Sequence, residues 1–187
     1  TGGHLTPAIA IIEEIQRQKK GWKVIFLGRK KPFESGGGLA HEERLVNALG
    51  VSFYGLTTGR FRRFISLGSV FSLLKVPIGF FQALFLFLIN RPALVLSFGG
   101  YVALPAVLSA VLLRIPVVTH EQTETIGLAN RVFASVAARV MFGSSRVRLK
   151  FAKGKTLVVG IPIRRMLFHP PEHPTFSVDE GQPLLYI

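Results

Sequence analysis

Two short apolar runs flanking a helix constrain this chain more than any other stretch. Ala93-Leu94-Val95-Leu96 leads into Ser97-Phe98-Gly99-Gly100-Tyr101, and Ile115-Pro116-Val117-Val118 leads into His120-Glu121-Gln122. Between them Pro105 fits a first helical turn, and Ala106 to Leu113 continue as a helix. Strand, glycine turn, helix, strand and polar loop in that order describe a crossover between parallel strands. Both loops then lie at the carboxyl ends of neighbouring strands, where open α/β sheets bind ligands. Gly99-Gly100 brings backbone close to a ligand, and the helix behind it offers N–H groups suited to phosphate.

The alternation continues on both sides. Thr1 to Pro7 form a glycine turn entering a helix, with Thr6 as cap and Pro7 at the first helical position. Ala8, Ile11, Ile12 and Ile15 share one face, and Gly21 stops the helix. Lys23 to Leu27 read as a strand, Arg29 to Gly38 as a loop, Leu39 to Leu49 as a helix and Val51 to Leu56 as a strand. Beyond the central stretch come a helix from Ile126 to Ala138, a strand from Arg139 to Phe142, a basic segment from Arg146 to Lys155 and a strand from Thr156 to Val159. The fold class expected is α/β, a Rossmann-like parallel sheet with helices on both faces. Because the first turn needs a strand to feed it, a strand ahead of Thr1 is expected. Residues 1–165 read as one domain, 166–182 as a proline-rich linker, and 183–187 as the opening strand of a second domain.

Lys and Arg total 23 against 10 Asp and Glu, a net charge of +13, while 49% of residues are hydrophobic and mean hydropathy is +0.41. Such basicity implies an anionic partner; joined to so apolar a chain, it favours a membrane surface over nucleic acid. There is no cysteine, which rules out disulfides and zinc–thiolate sites. Arg60-Phe61-Arg62-Arg63-Phe64 interleaves cations with aromatics, and Val70 to Ile89 is almost wholly apolar. A spanning helix needs about 20 apolar residues, but Val76 to Ile89 is only 14, and Lys75-Val76-Pro77 interrupts the longer run. A fully buried helix and a true span are the alternatives. The reading adopted is a core-facing helix with an exposed apolar patch. That patch carries Phe71, Phe80, Phe81 and Phe85, with Lys75, Arg60, Arg62, Arg63 and Arg91 to meet anionic headgroups.

An internal echo bears on chemistry. Gly2-Gly3-His4-Leu5-Thr6-Pro7-Ala8 and Gly99-Gly100-Tyr101-Val102-Ala103-Leu104-Pro105-Ala106 each place a glycine pair, a spacer and Pro-Ala at the head of a helix. Two such turns on one sheet edge suit two phosphates, or both ends of a diphosphate; glycines that only make room for packing are the plainer account. His4 is either a local hydrogen-bonding residue or a general base. Glu121 is either a satisfied strand-end carboxylate or part of the site, and His120 equally a packing residue. No carboxylate pair sits at metal-ligand spacing. Gly-x-Ser-x-Gly and the dinucleotide pattern Gly-x-Gly-x-x-Gly are both absent.

At these residues the chain resembles glycosyltransferase family 28, which includes the UDP-N-acetylglucosamine transferases of peptidoglycan synthesis. The resemblance runs from Thr1 to about Arg165. It rests on Thr1-Gly2-Gly3-His4 with Pro7-Ala8, Gly99-Gly100-Tyr101-Val102, His120-Glu121-Gln122, Gly127-Leu128-Ala129-Asn130 and Gly160-Ile161-Pro162-Ile163-Arg164, in the family's order. It implies the N-terminal half of a two-domain GT-B enzyme at the cytoplasmic face of the cell membrane. Such an enzyme transfers GlcNAc from UDP-GlcNAc to an undecaprenyl-diphosphate-linked muramyl-pentapeptide, with inversion and without a metal or other cofactor. By the same resemblance Gly2, Gly3, Gly99, Gly100 and Tyr101 hold the acceptor diphosphate, and His4 and Glu121 are catalytic. His120, Gln122, Thr123 and Arg164 then face the acceptor–donor cleft. Partners implied are the lipid-linked acceptor, the UDP-sugar and an anionic membrane, with no nucleic acid. The family usually carries Asn where this chain has Thr123 and Ile161, which bears on acceptor identity. The fragment alone is expected to be inactive. Alternatives are a membrane-anchoring subunit of a two-chain enzyme, or a related transferase with another lipid-linked acceptor.

Overall fold

The computed structural model describes residues 2–19, 21–29, 38–58, 75–147 and 154–168. The expected linker and second-domain opening lie, but for residues 166–168, outside them, as do Arg60, Arg62, Arg63 and Phe71. A one-turn 3-10 helix, Gly2–His4, runs into α1, Leu5–Gln18. Then follow β1 (Ile25–Arg29), α2 (Gly38–Ala48), β2 (Ser52–Leu56) and α3 (Lys75–Asn90). The remainder is β3 (Val95–Ser97), α4 (Ala103–Leu112), β4 (Val117–Glu121), α5 (Leu128–Val136), β5 (Arg139–Phe142), β6 (Thr156–Val158) and a final 3-10 turn, Arg165–Leu167.

Among the described residues every strand pairing is parallel, as the alternation requires, and the strands fall in two sheets where one was expected. β1 pairs with β2, aligning Ile25 with Ser52 and Arg29 with Leu56. The second sheet runs β3-β4-β5-β6, with Leu96 beside Val118 and His120 beside Met141. The two sheets share a core: Leu56 and Leu27 from the first pack with Phe87, Val107, Val117 and Val95 in one cluster. A cavity of about 720 Å³ is lined by residues of β1, β3, α1, α3 and α4.

Both glycine-headed helices begin before the expected prolines. α1 starts at Leu5 and α4 at Ala103, so Pro7 and Pro105 each occupy the third helical position rather than the first. A proline is tolerated anywhere in the first turn, since those N–H groups have no intrahelical acceptor. Thr6 is therefore inside the helix; the cap position belongs to His4. Pro77 likewise sits in the first turn of α3 and starts that helix instead of breaking it.

α3 buries one stripe and leaves the other open. Gly79, Ala83 and Phe87 are buried, and a Cβ on Gly79 would lie 2.3 Å from the Thr57 carbonyl oxygen and 3.1 Å from Pro105. Only glycine lets α3 approach so closely. Gln82, the lone polar side chain in this face of the apolar run, accepts the Thr57 N–H at 2.8 Å. On the opposite stripe Ile78, Phe81, Phe85, Leu88 and Ile89 are exposed, Phe81 and Phe85 by 65% and 63%. Phe80 is half-buried and meets Phe81 edge-on. Among the described residues no helix is long and apolar enough to cross a membrane.

Candidate functional site

The carboxyl ends of β3 and β4 and the start of α1 converge on one mouth, and sequence spacing explains how. Gly99 and Gly100 both take left-handed backbone, φ +83° and +80°, so the chain reverses at the end of β3 within two residues. This turn brings Gly100 under the His4 imidazole: a Cβ there would lie 3.8 Å from His4 Nε2. The two glycine-headed turns, about a hundred residues apart in sequence, are thus adjacent in space. Gly3, His4, Gly99, Gly100 and Tyr101 all line the same opening. Neither helix start has a side-chain capping hydrogen bond at its N-cap residue, and Gly3 has nothing within 4 Å of where a Cβ would be. His4 is exposed there.

One carboxylate missed by sequence reasoning lies at this mouth. Glu42, on α2, lines the opening, and burial raises its pKa against the nearby charges of Arg29 and His4. Its position depends on how α2 folds back over β1.

The second loop is organised by Asn130, from α5, which is 3% exposed. Its Oδ1 accepts the Thr119 hydroxyl at 2.8 Å, and its Nδ2 donates to Glu121 Oε2 at 3.0 Å and to the His120 carbonyl at 3.3 Å. The same amide fills the space over Gly99, where a Cβ would come within 2.7 Å of Nδ2. Asn130 thereby joins the β3 turn to the β4 loop. The motif Gly-Leu-Ala-Asn was visible in the sequence, but nothing local singles out its last residue as the junction.

Glu121 is 4% exposed. Oε1 accepts the Thr123 N–H at 3.0 Å and lies 2.7 Å from the Thr123 hydroxyl. Oε2 accepts from the Gly127 N–H at 2.9 Å and from Asn130. A carboxylate offers about four lone-pair sites; here three N–H donors reach them, and the Thr123 hydroxyl, whose one proton is contested by the Thr125 carbonyl, lies against Oε1. Burial pushes the Glu121 pKa up, but the hydrogen bonds from Asn130, Thr123 and Gly127 outweigh it, and the net shift is downward. Linkage then fixes the sign. A depressed carboxylate stabilises the fold above its unfolded pKa of about 4.5 and loses that contribution as pH falls through the folded value. Chemical denaturation across pH 7 to 3 should therefore show a loss of stability beginning below about pH 4.5. Glu121→Gln should start less stable at pH 7, because its amide nitrogen faces donors, and its curve should converge on the parent's in acid.

Thr123 and Ile161, the two departures from the family pattern, are both used locally. The Thr123 hydroxyl lies between Glu121 Oε1 and the Thr125 carbonyl oxygen, 2.6 Å away. Ile161 packs over Gly143, where a Cβ would stand 2.7 Å from its Cγ1. His120 is 1% exposed, and its Nε2 lies 2.9 Å from the Gly160 carbonyl oxygen. A carbonyl only accepts, so Nε2 is assigned the proton. Gln122 follows at the strand end, half-buried. Arg164, from the segment after β6, donates through Nε and Nη2 to Glu13 Oε1 at 2.9 and 2.6 Å, tying that segment to α1. His4, Gly3, Gly99, Gly100 and Tyr101 thus share the mouth, Glu121 and His120 lie buried behind it, and Arg164 is held in an ion pair. Lys75 begins α3. Among the described residues no cluster of His, Asp or Glu could hold a metal ion.

Comparison with known proteins places this geometry in context. The model of the glycosyltransferase family 28 N-terminal domain matches residues 1–142. A Legionella pneumophila protein named UDP-N-acetylglucosamine–N-acetylmuramyl-(pentapeptide) pyrophosphoryl-undecaprenol N-acetylglucosamine transferase is 36% identical over 168 residues, 89% of this chain and 44% of that protein. The protein of the same name from Treponema pallidum is 30% identical over 193 residues, 100% of this chain and 48% of its own length. The chain therefore spans about half the length of the curated relatives it matches. The crystal structure of Acinetobacter baumannii MurG superposes with a TM-score of 0.68 at 27% identity, over 88% of this chain and 43% of that one. A UDP-GlcNAc 2-epimerase from Neisseria meningitidis shares the fold, with a TM-score of 0.61 at 15% identity over 90% of this chain and 47% of that one.

Proposed function

This chain belongs to glycosyltransferase family 28, and from that premise we propose that it is the acceptor-binding half of an inverting glycosyltransferase. The donor is UDP-GlcNAc and the acceptor an undecaprenyl-diphosphate-linked muramyl-pentapeptide. The observation that carries this reading is the meeting of the two glycine turns under His4. Two helix starts and the backbone N–H groups of left-handed turns at one mouth provide a cradle for a diphosphate. An exposed imidazole beside it is suited to accept the proton of the attacking acceptor hydroxyl as the sugar is transferred. Glu121, with its lone pairs filled by loop donors, acts by holding that loop in shape rather than by taking a proton.

The test is transfer of GlcNAc from UDP-GlcNAc to the lipid-linked acceptor by the protein as its gene encodes it. His4→Ala should lower kcat by about 10²- to 10⁴-fold, the usual contribution of a general base, with thermal stability unchanged because the side chain is exposed. Unaltered turnover would remove His4 from the mechanism.

The membrane surface is approached through α3. Its exposed stripe of Ile78, Phe81, Phe85, Leu88 and Ile89 supplies apolar area. Arg91 and Arg114, which end α3 and α4 in left-handed conformation with φ of 44° and 57°, supply exposed cations nearby. In flotation with vesicles of phosphatidylglycerol and phosphatidylcholine, the parent chain should float. Phe81→Ser with Phe85→Ser should cut the bound fraction by tenfold or more, since burying each ring is worth about 2 kcal/mol.

A further inference from the structure

We propose that Glu42 is a positioning residue for His4. Its carboxylate accepts the Nδ1–H of the imidazole and leaves Nε2 as the basic nitrogen toward the acceptor. This rests on the reading of His4 as the proton acceptor and names the group that prepares it for that step.

Helix packing brings the carboxylate to the end of α1 that carries His4. Val46 of α2 is buried in one cluster with Leu5, Ile9 and Ile12 of α1. Glu42 stands four residues before Val46, on the same face of α2 and one turn nearer its start. His4 directly precedes Leu5. Both side chains line the mouth, together with Arg29 from the end of β1. The charge of His4 is among those that act on the Glu42 carboxyl, with those of Arg29 and His41.

The orientation of the ring agrees. A Cβ on Gly100 would meet two atoms of His4, Cδ2 and Nε2, both at 3.8 Å. In an imidazole that edge lies opposite Nδ1. Nε2 is thus on the side of the Gly100 turn, where the diphosphate cradle lies, and Nδ1 is directed away from it. Gly100 follows β3 of the second sheet, whereas Glu42 belongs to α2, which packs on β1 and β2 of the first. The nitrogen turned from the cradle and the carboxylate are therefore both remote from the β3 wall.

The chemistry selects this use of the carboxylate over others. A negative charge repels a diphosphate, so Glu42 is unsuited to the cradle itself. A neutral imidazole holds one proton, and the partner of one nitrogen decides which carries it. A base working through Nε2 needs the proton on Nδ1, and an acceptor-only carboxylate favours that tautomer. When Nε2 takes the proton of the acceptor hydroxyl, the same carboxylate stabilises the imidazolium without being protonated itself. Burial raises the Glu42 pKa, which makes the carboxylate a better acceptor, while the Arg29 charge favours its ionised form.

Two measurements on the protein as its gene encodes it test the pairing. With 15N-labelled histidine, the ring nitrogens of His4, identified by their loss in His4→Ala, report its tautomer. The parent should hold the Nδ1–H form, and Glu42→Ala should shift the population toward Nε2–H. Glu43→Ala, at the exposed next position of α2, is the helix control and should match the parent. A parent in the Nε2–H form, or a tautomer that Glu42→Ala leaves unchanged, would overturn the proposal whatever the kinetics. In GlcNAc transfer, Glu42→Ala should lower kcat by about 10- to 100-fold, less than the loss of His4 itself, with both KM values within about threefold of the parent. In the His4→Ala background it should cost nothing further. Additive losses would mean that Glu42 acts without His4, and a raised KM with kcat kept would make it an acceptor-binding group; either result overturns the proposal. If His4→Ala turns over normally while Glu42→Ala still shifts the tautomer, the pairing is upheld and the reading of His4 as the base is what fails.

Discussion

Asn130→Leu should destabilise the fold by about 3 kcal/mol, the scale expected when several buried polar groups lose a shared partner. Leucine matches the volume of the amide, so the loss is chemical rather than a cavity. It removes the acceptor of the Thr119 hydroxyl, a donor to the His120 carbonyl and one of the two donors to Glu121 Oε2, at a site only 3% exposed. Thermal unfolding should register this as a fall of roughly 6–12 °C for a domain of this size. Asn130→Asp separates the two contributions. Its carboxylate would face Glu121 Oε2 and, buried beside a like charge, would have a raised pKa. The stability lost at pH 7 should then return as pH falls and that carboxyl becomes a donor, opposite in direction to the acid loss expected of the parent. A stability profile parallel to the parent's would show that Asn130 and Glu121 are not coupled.

Gly99→Ala carries the second large effect. The residue sits at φ +83°, which costs an L side chain about 1–2 kcal/mol, and its Cβ would press to 2.7 Å of Asn130 Nδ2 and 2.8 Å of Oδ1. Strain and collision fall on the same amide, so a total of about 3–4 kcal/mol is expected. Gly100→Ala is the built-in control. It shares the left-handed backbone, φ +80°, but its nearest contact would be His4 at 3.8 Å. It should lose only about the conformational 1–2 kcal/mol. Gly3→Ala should be close to neutral for stability, with open space around it. Denaturant midpoints for the three variants should fall in the order Gly99, Gly100, Gly3, with Gly99 lowest. Equal losses at Gly99 and Gly100 would mean that the Asn130 contact is soft.

Much of the architecture was legible because it depends on local rules. Short apolar runs punctuated by glycine marked β1, β2, β3, β5 and β6 to within two residues at either end, while β4 runs three residues past the expected Val118, taking His120 and Glu121 into the strand. Helix starts were read too late at Pro105 and at Pro7 because proline was assigned to the first helical position, whereas any place in the first turn satisfies its missing N–H. The basic and aromatic segment around Arg60 to Phe71 lies outside the described residues. The adjoining stripe of α3 does show the exposed apolar face that its composition suggested.

The site divides differently. Residue types with a fixed chemical use, such as glycine at a tight turn or an imidazole near a helix start, announced the mouth from spacing alone. Residues whose use depends on what packs against them did not. For Glu121 the sequence left open a satisfied strand-end carboxylate or a site residue, and only the structure shows Thr123, Gly127 and Asn130 bonded to its oxygens. The partner of Arg164, Glu13, lies 151 residues earlier and 2.6 Å away, a pairing with no signature in the local sequence.

By itself, then, the sequence determined the parallel α/β order, the two glycine-headed helices, and a basic, apolar chain with no cysteine chemistry. Those follow from backbone conformational preference and hydrophobic period, which act within a few residues. Only the tertiary structure decided that the two glycine turns meet under His4 and that Asn130 joins one loop to the other. Those features rest on contacts across tens of residues, where a hydrogen-bond partner has no local signature.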